Sequence, residues 1–116
     1  MFSRKKLVCN IFKVPSCKKG SECFEPLLRT PYLTLERIVS FGQRTPPGRW
    51  LRQARDEWVI LLSGSATLVF WGRQMRAMKP GDYVFIPAGL RHRLERTHPK
   101  KPSVWLALHT KSRGAS

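Results

Sequence analysis

Gly81-Asp82-Tyr83-Val84-Phe85-Ile86-Pro87-Ala88-Gly89-Leu90-Arg91-His92 is the stretch on which the fold turns. It opens in the turn Lys79-Pro80-Gly81-Asp82 and runs through a short apolar strand over residues 83–86. A loop follows in which Pro87 rigidifies the entry and Gly89 permits a positive φ. His92 then stands at the start of the next strand, residues 92–96. Glycine, proline, glycine and histidine therefore keep the spacing G-x5-P-x-G-x2-H around one short strand.

The flanking sequence has the same rhythm. Residues 33–40 read as a strand, followed by Gly42 and the loop Thr45-Pro46-Pro47-Gly48. Residues 49–53 read as a short strand, and Ala54-Arg55-Asp56 turns into residues 57–62. Ser63-Gly64 makes a hairpin into residues 65–71, Gly72-Arg73 turns again, and residues 75–78 and 104–109 complete the series. About seven or eight short strands, with turn signals roughly every 8–12 residues, predict an all-β sandwich or closed antiparallel barrel. Upstream, Ser21 is an N-cap candidate with Glu22 and Glu25 in a first turn, which predicts a short helix ending near Arg29. Residues 58–62 and 66–71 are apolar at successive positions, so both faces of those strands are expected to be covered. The covering element is the N-terminal segment or a second subunit, and a homodimer through this sheet is expected. Trp58 and Trp71 are the candidates for the outer face.

With 116 residues, 41% of them hydrophobic, the chain has room for one domain. The division expected is a basic N-terminal arm over 1–20, a barrel domain over 21–113 and a tail over 114–116. No apolar run approaches the roughly 20 residues that span a bilayer, and the segment after the basic start is too short for a signal peptide. A cytoplasmic protein with no membrane segment is expected. Cys9, Cys17 and Cys23 lack C-x-x-C spacing, and free thiols in a reducing compartment are the expectation. The formal charge is +15, from 22 Lys and Arg against 7 acids. It concentrates at the two ends: residues 1–20 hold six bases and no acid, and residues 91–113 hold seven bases, Lys111 and Arg113 among them, against Glu95. Such a surface attracts polyanions, so non-specific, salt-dependent nucleic-acid binding is one functional alternative.

Together with Glu57-x6-Gly64, the G-x5-P-x-G-x2-H stretch resembles the two signatures of the cupin β-barrels. Glu36-Arg37-Ile38-Val39-Ser40, Asp56-Glu57-Trp58-Val59 and Val104-Trp105-Leu106-Ala107-Leu108-His109 are similar to a group of small bacterial cupin-2 domain proteins. The resemblance implies a jelly-roll barrel whose mouth often holds one divalent metal ion (Fe, Ni, Mn or Zn). Family members bind it with H-x-H, the glutamate and the histidine of the second signature. Glu57 and His92 match the last two positions, but the H-x-H slots carry Leu51 and Gln53, or Trp50 and Arg52. A metal set of Gln53, Glu57 and His92 is thus short of imidazoles, and amides are weak ligands for late first-row metals. Without metal, Glu57 and His92 are expected to hydrogen-bond each other, or Gln53, inside the barrel mouth; the mutual pair would raise the histidine's pKa, and the two are also the candidate acid/base pair. The first functional expectation is a small polar or anionic ligand in a cavity lined by Trp50, Gln53, Glu57, Arg91, His92 and His109. Arg49, Arg52 and Arg91 would form a basic rim. The alternative the family implies is a metal-dependent isomerase or dioxygenase. Arg93 and Glu95, on the face opposite His92, read as partners in a cross-strand or same-face ion pair.

Overall fold

The computed structural model describes residues 7–110; Lys111, Arg113, the 114–116 tail and the first six residues of the basic arm lie outside the described residues. Eight strands follow one another: β1 (Glu22–Arg29), β2 (Leu33–Ser40), β3 (Asp56–Ser63), β4 (Ala66–Phe70), β5 (Met75–Met78), β6 (Tyr83–Ile86), β7 (His92–Thr97) and β8 (Ser103–Thr110). All pairings are antiparallel. They build a five-stranded sheet in the order β1-β2-β8-β3-β6 and a three-stranded sheet in the order β5-β4-β7. The all-β barrel anticipated from the turn spacing is the fold observed. No helix among the described residues is long and apolar enough to cross a membrane.

Period-two alternation fills the interior. β3 and β4 bury every second residue, and Val59, Leu61, Ala66, Leu68 and Phe70 enter a core shared with Ile38, Met78, Ile86, Leu94, Trp105 and Ala107. Gly64 makes the β3–β4 hairpin tight. Its φ is +89°, and it lies against Ser103, whose hydroxyl accepts from Ser65 N (3.2 Å) and donates to Ser65 O (3.0 Å).

Three local expectations are corrected. Residues 22–29 are strand, not helix: β1 pairs with β2 from Glu22↔Ser40 to Arg29↔Thr34, with the register shifting between Pro26 and Leu28. Pro26 has no N–H to give, and a sheet edge interrupted at a bulge tolerates that where a helix interior would not. Residues 49–53 contribute only an isolated bridge, Leu51↔His92. Finally, Cys17 and Cys23 are joined in a disulfide rather than left as thiols, while Cys9 is exposed. The segment before β1 folds back along it and brings the two Cα atoms to 6.1 Å, inside the range a disulfide spans.

Arg37 anchors that lead-in segment. Its side chain is buried on the outer face of β2, where Nη1 donates to the carbonyls of Asn10 (3.3 Å), Ile11 (3.0 Å) and Lys13 (3.1 Å) and Nη2 pairs with Glu25. A guanidinium buried in this way needs every such partner. Among the described residues the lead-in therefore covers β2 rather than the outer face of β3. There Trp58 packs on Tyr83 (5.4 Å between ring centroids), and Tyr83 and Phe85 remain exposed. Arg93 Nε and Glu95 Oε1 form the expected ion pair at 3.4 Å.

Candidate functional site

Strand register decides which polar side chains meet inside the barrel. On the five-stranded sheet Glu57 lies directly opposite His109, and β2 brings Glu36 to the same end, since Thr34↔His109 and Glu36↔Ala107 are partners. Cross-strand neighbours have Cβ atoms about 5 Å apart, whereas stacked sheets lie about 10 Å apart. His92 is on β7, in the other sheet. The expected Glu57–His92 bond is accordingly absent, and His109 takes its place.

His109 Nε2 lies 3.0 Å from Glu36 Oε1 and 3.7 Å from Glu57 Oε2, with all three side chains largely buried. Both neighbours are acceptors, so Nε2 carries the proton and donates to Glu36, while Glu57 adds a longer contact. His92 is fixed differently. Its Nδ1 donates to the carbonyl of Leu90 at 2.9 Å, and Leu90 N in turn donates to Pro87 O. The Pro87–Gly89 loop thus orients the imidazole, with Gly89 at φ +84° and its N–H bonded to Gln53 O (2.8 Å).

A cavity of about 300 Å³ opens beside these residues, at the small end of the range for ligand sites. Its walls are apolar: Ile38, Val59, Leu68, Ile86 and Leu94. The polar residues facing it are Glu22, Arg52, Gln53, Glu57 and His92, together with Trp105. Two buried polar atoms of this lining have no protein hydrogen bond, Gln53 Oε1 and the Trp105 indole Nε1–H. Glu22 receives the Ser40 hydroxyl on Oε2 at 3.2 Å. Burial nonetheless raises the Glu22 pKa above the ordinary carboxylate value, the Ser40 bond works against that rise, and the charges of Glu57 and Glu36 add to it.

Of the six side chains expected to line the cavity, Gln53, Glu57 and His92 do so. His109 belongs to an adjoining pocket with Glu36, Gln53 and Glu57. Trp50 and Arg91 lie outside both, packed on Trp71: Trp50 edge-to-face at 5.0 Å, and Arg91 with its guanidinium carbon 4.9 Å from the indole centroid. Among the arginines expected at the rim, only Arg52 reaches the cavity. Glu22, Glu36 and Trp105 were not on the expected lining. Trp105 could have been found by counting back in steps of two from His109, and Glu22 was hidden by its reading as a helix start.

The donor set does not suit a metal ion. Among the described residues no group of three histidine, cysteine, aspartate or glutamate side chains is placed to hold a metal ion. Glu57 is turned toward His109, and Gln53 would add only a weak amide oxygen.

A family model described as "Cupin domain" matches residues 39–109. A solved structure from Ralstonia eutropha JMP134, provisionally named a mannose-6-phosphate isomerase, is similar over 92% of this chain and 100% of its own, with 41% identity and a TM-score of 0.86. A cupin superfamily protein from Desulfitobacterium hafniense DCB-2 is similar over 84% of each chain, at 14% identity and a TM-score of 0.68. TT1209 from Thermus thermophilus is similar over 90% of this chain and 97% of its own, at 15% identity and a TM-score of 0.73. No curated protein matches the chain.

Proposed function

The chain belongs to the cupin domain family, and from that premise we propose that its barrel binds a small, hydroxyl-rich ligand carrying an anionic group. The observation that supports this is the pair of unpartnered polar atoms, Gln53 Oε1 and Trp105 Nε1, buried in the lining of one cavity. A partner for either atom would recover about 1–3 kcal/mol, and a ligand in the cavity beside them is the partner we propose. An unpartnered acceptor and an unpartnered donor suit a hydroxyl, which both gives and takes a hydrogen bond. The Glu57 carboxylate adds an acceptor, and His92, with Nδ1 already donating, offers Nε2 as another. Arg52, exposed at the mouth, is placed for an anion. A phosphorylated sugar combines these features, and the name of the Ralstonia protein points the same way. The outer face of β3 and β6, with Trp58, Tyr83 and Phe85, is the surface we assign to a homodimer.

Titration with mannose 6-phosphate, mannose and inorganic phosphate tests the reading, with tryptophan fluorescence and calorimetry as readouts. The sugar phosphate should bind saturably and several-fold more tightly than the sugar. Arg52→Ala should erase that difference, which for an exposed charged contact is worth about 1 kcal/mol, or roughly fivefold. If neither sugar nor sugar phosphate bound, or if Gln53→Leu bound equally well, the cavity would not be the site.

A further inference from the structure

Beside the cavity, and sharing Leu51, Arg52 and His92 with its wall, tertiary structure gathers three short segments that are distant in sequence. Leu51 and His92 exchange backbone hydrogen bonds (2.7 and 3.0 Å), and Trp71 N donates to Arg91 O at 2.9 Å. Residues 49–52, 71–73 and 91–93 therefore lie side by side. Together they carry Arg49, Arg52, Arg73, Arg91, Arg93, Trp50 and Trp71, and no acidic residue.

The side chains alternate cation and ring. The Arg91 guanidinium lies over Trp71, Trp71 meets Trp50 at an interplanar angle of 79°, and Arg93 lies 5.9 Å from the Trp50 centroid. Arg93 is committed to the fold, since it pairs with Glu95 and donates to Thr45 O at 3.2 Å. The other four arginines are exposed and make no ion pair among the described residues. Trp71 keeps 52% of its surface in solvent. A half-exposed indole under a stacked guanidinium is poorly explained by packing. It is a good platform for a planar partner that also brings negative charge.

We propose that this Arg–Trp surface binds single-stranded nucleic acid. Unpaired bases stack on indole rings and on guanidinium planes, and the phosphates that alternate with them take bidentate hydrogen bonds from arginine. An acidic peptide would match the charge but leave the rings unused. In a duplex the bases stack on one another and their faces are closed to these rings. The net charge of +15 adds a long-range attraction that brings any polyanion to the protein.

Fluorescence anisotropy with the full-length protein and a labelled oligouridine of about 20 nucleotides tests the proposal. Trp71→Ala should weaken binding by about fivefold or more with the salt dependence unchanged, because stacking on one base is worth about 1–3 kcal/mol and releases no counterion. Arg91→Lys keeps the charge but loses the planar stack, and should weaken binding in the same sense. Lys100→Ala with Lys101→Ala removes more charge from a different turn and should weaken binding less than Trp71→Ala does at about 200 mM salt. The proposal fails if Trp71→Ala and Arg91→Lys, shown by circular dichroism to be folded, bind like the parent. It fails equally if polyphosphate, a duplex of the same length or a polyglutamate peptide binds as tightly as the single strand.

Discussion

Replacing His109 by leucine should be among the most damaging single changes in the barrel. The imidazole is the donor that stands between two largely buried carboxylates, at 3.0 Å from Glu36 and 3.7 Å from Glu57. Leucine fits the space but donates nothing, so the carboxylates face each other without a partner. Removing one member of such a buried set destabilises by about 3–5 kcal/mol, a large part of the 5–15 kcal/mol that holds a typical domain together. With a urea dependence of about 1.5 kcal/mol per molar, the unfolding midpoint should fall by roughly 2–3 M. His92→Leu gives up one bond, from Nδ1 to the Leu90 carbonyl, and should lose only about 1 kcal/mol. Double-mutant cycles sharpen the comparison. Glu36 and His109 should couple by about 1–3 kcal/mol, Glu57 and His109 by less, and Glu57 and His92 by close to nothing. Equal losses for the two leucine variants would refute the assignment, as would a Glu57–His92 coupling as large as that of Glu57 with His109.

Two further tests address neighbouring features. Gly64→Ala should melt at least about 5 °C below Gly81→Ala: both sites have positive φ, but a Cβ at Gly64 would stand 2.6 Å from Ser103 Cα and 2.8 Å from its Cβ, while Gly81 faces open space. Equal melting temperatures would mean that the hairpin does not press on Ser103. Glu22→Gln should raise stability at neutral pH. Because the folded-state pKa of Glu22 is raised, the folded protein holds this proton more tightly than the unfolded chain, and stability falls as pH climbs through the interval between the two values. Glutamine removes that loss, so its advantage should be present at about pH 7.5 and vanish below about pH 4 in thermal melts. A gain of the same size at both pH values would contradict the role given to burial.

The strand positions were legible because turn chemistry and two-residue alternation are local. The Gly81–Asp82 turn, the Pro87–Gly89 loop and the Ser63–Gly64 hairpin each declare themselves within a few residues, and the barrel follows from their spacing. The same local signals misled at the start of the domain. Ser21, Glu22 and Glu25 imitate a helix start, but the open edge of β2 pairs with residues 22–26 and 28–29 on either side of a bulge.

By itself, then, the sequence determined that this chain makes a cupin barrel and that Glu57, Gln53 and His92 face its interior. Only the tertiary structure decided which of them meet. A pairing between strands depends on sheet order and register, and these put β8 beside β3 and β2 while β7 went to the opposite sheet. That arrangement gave Glu57 to His109, brought Glu22 and Trp105 to the cavity, and carried Arg91 out to Trp71. It also closed Cys17 on Cys23, a contact set by where the chain folds back and not by the spacing of the two residues.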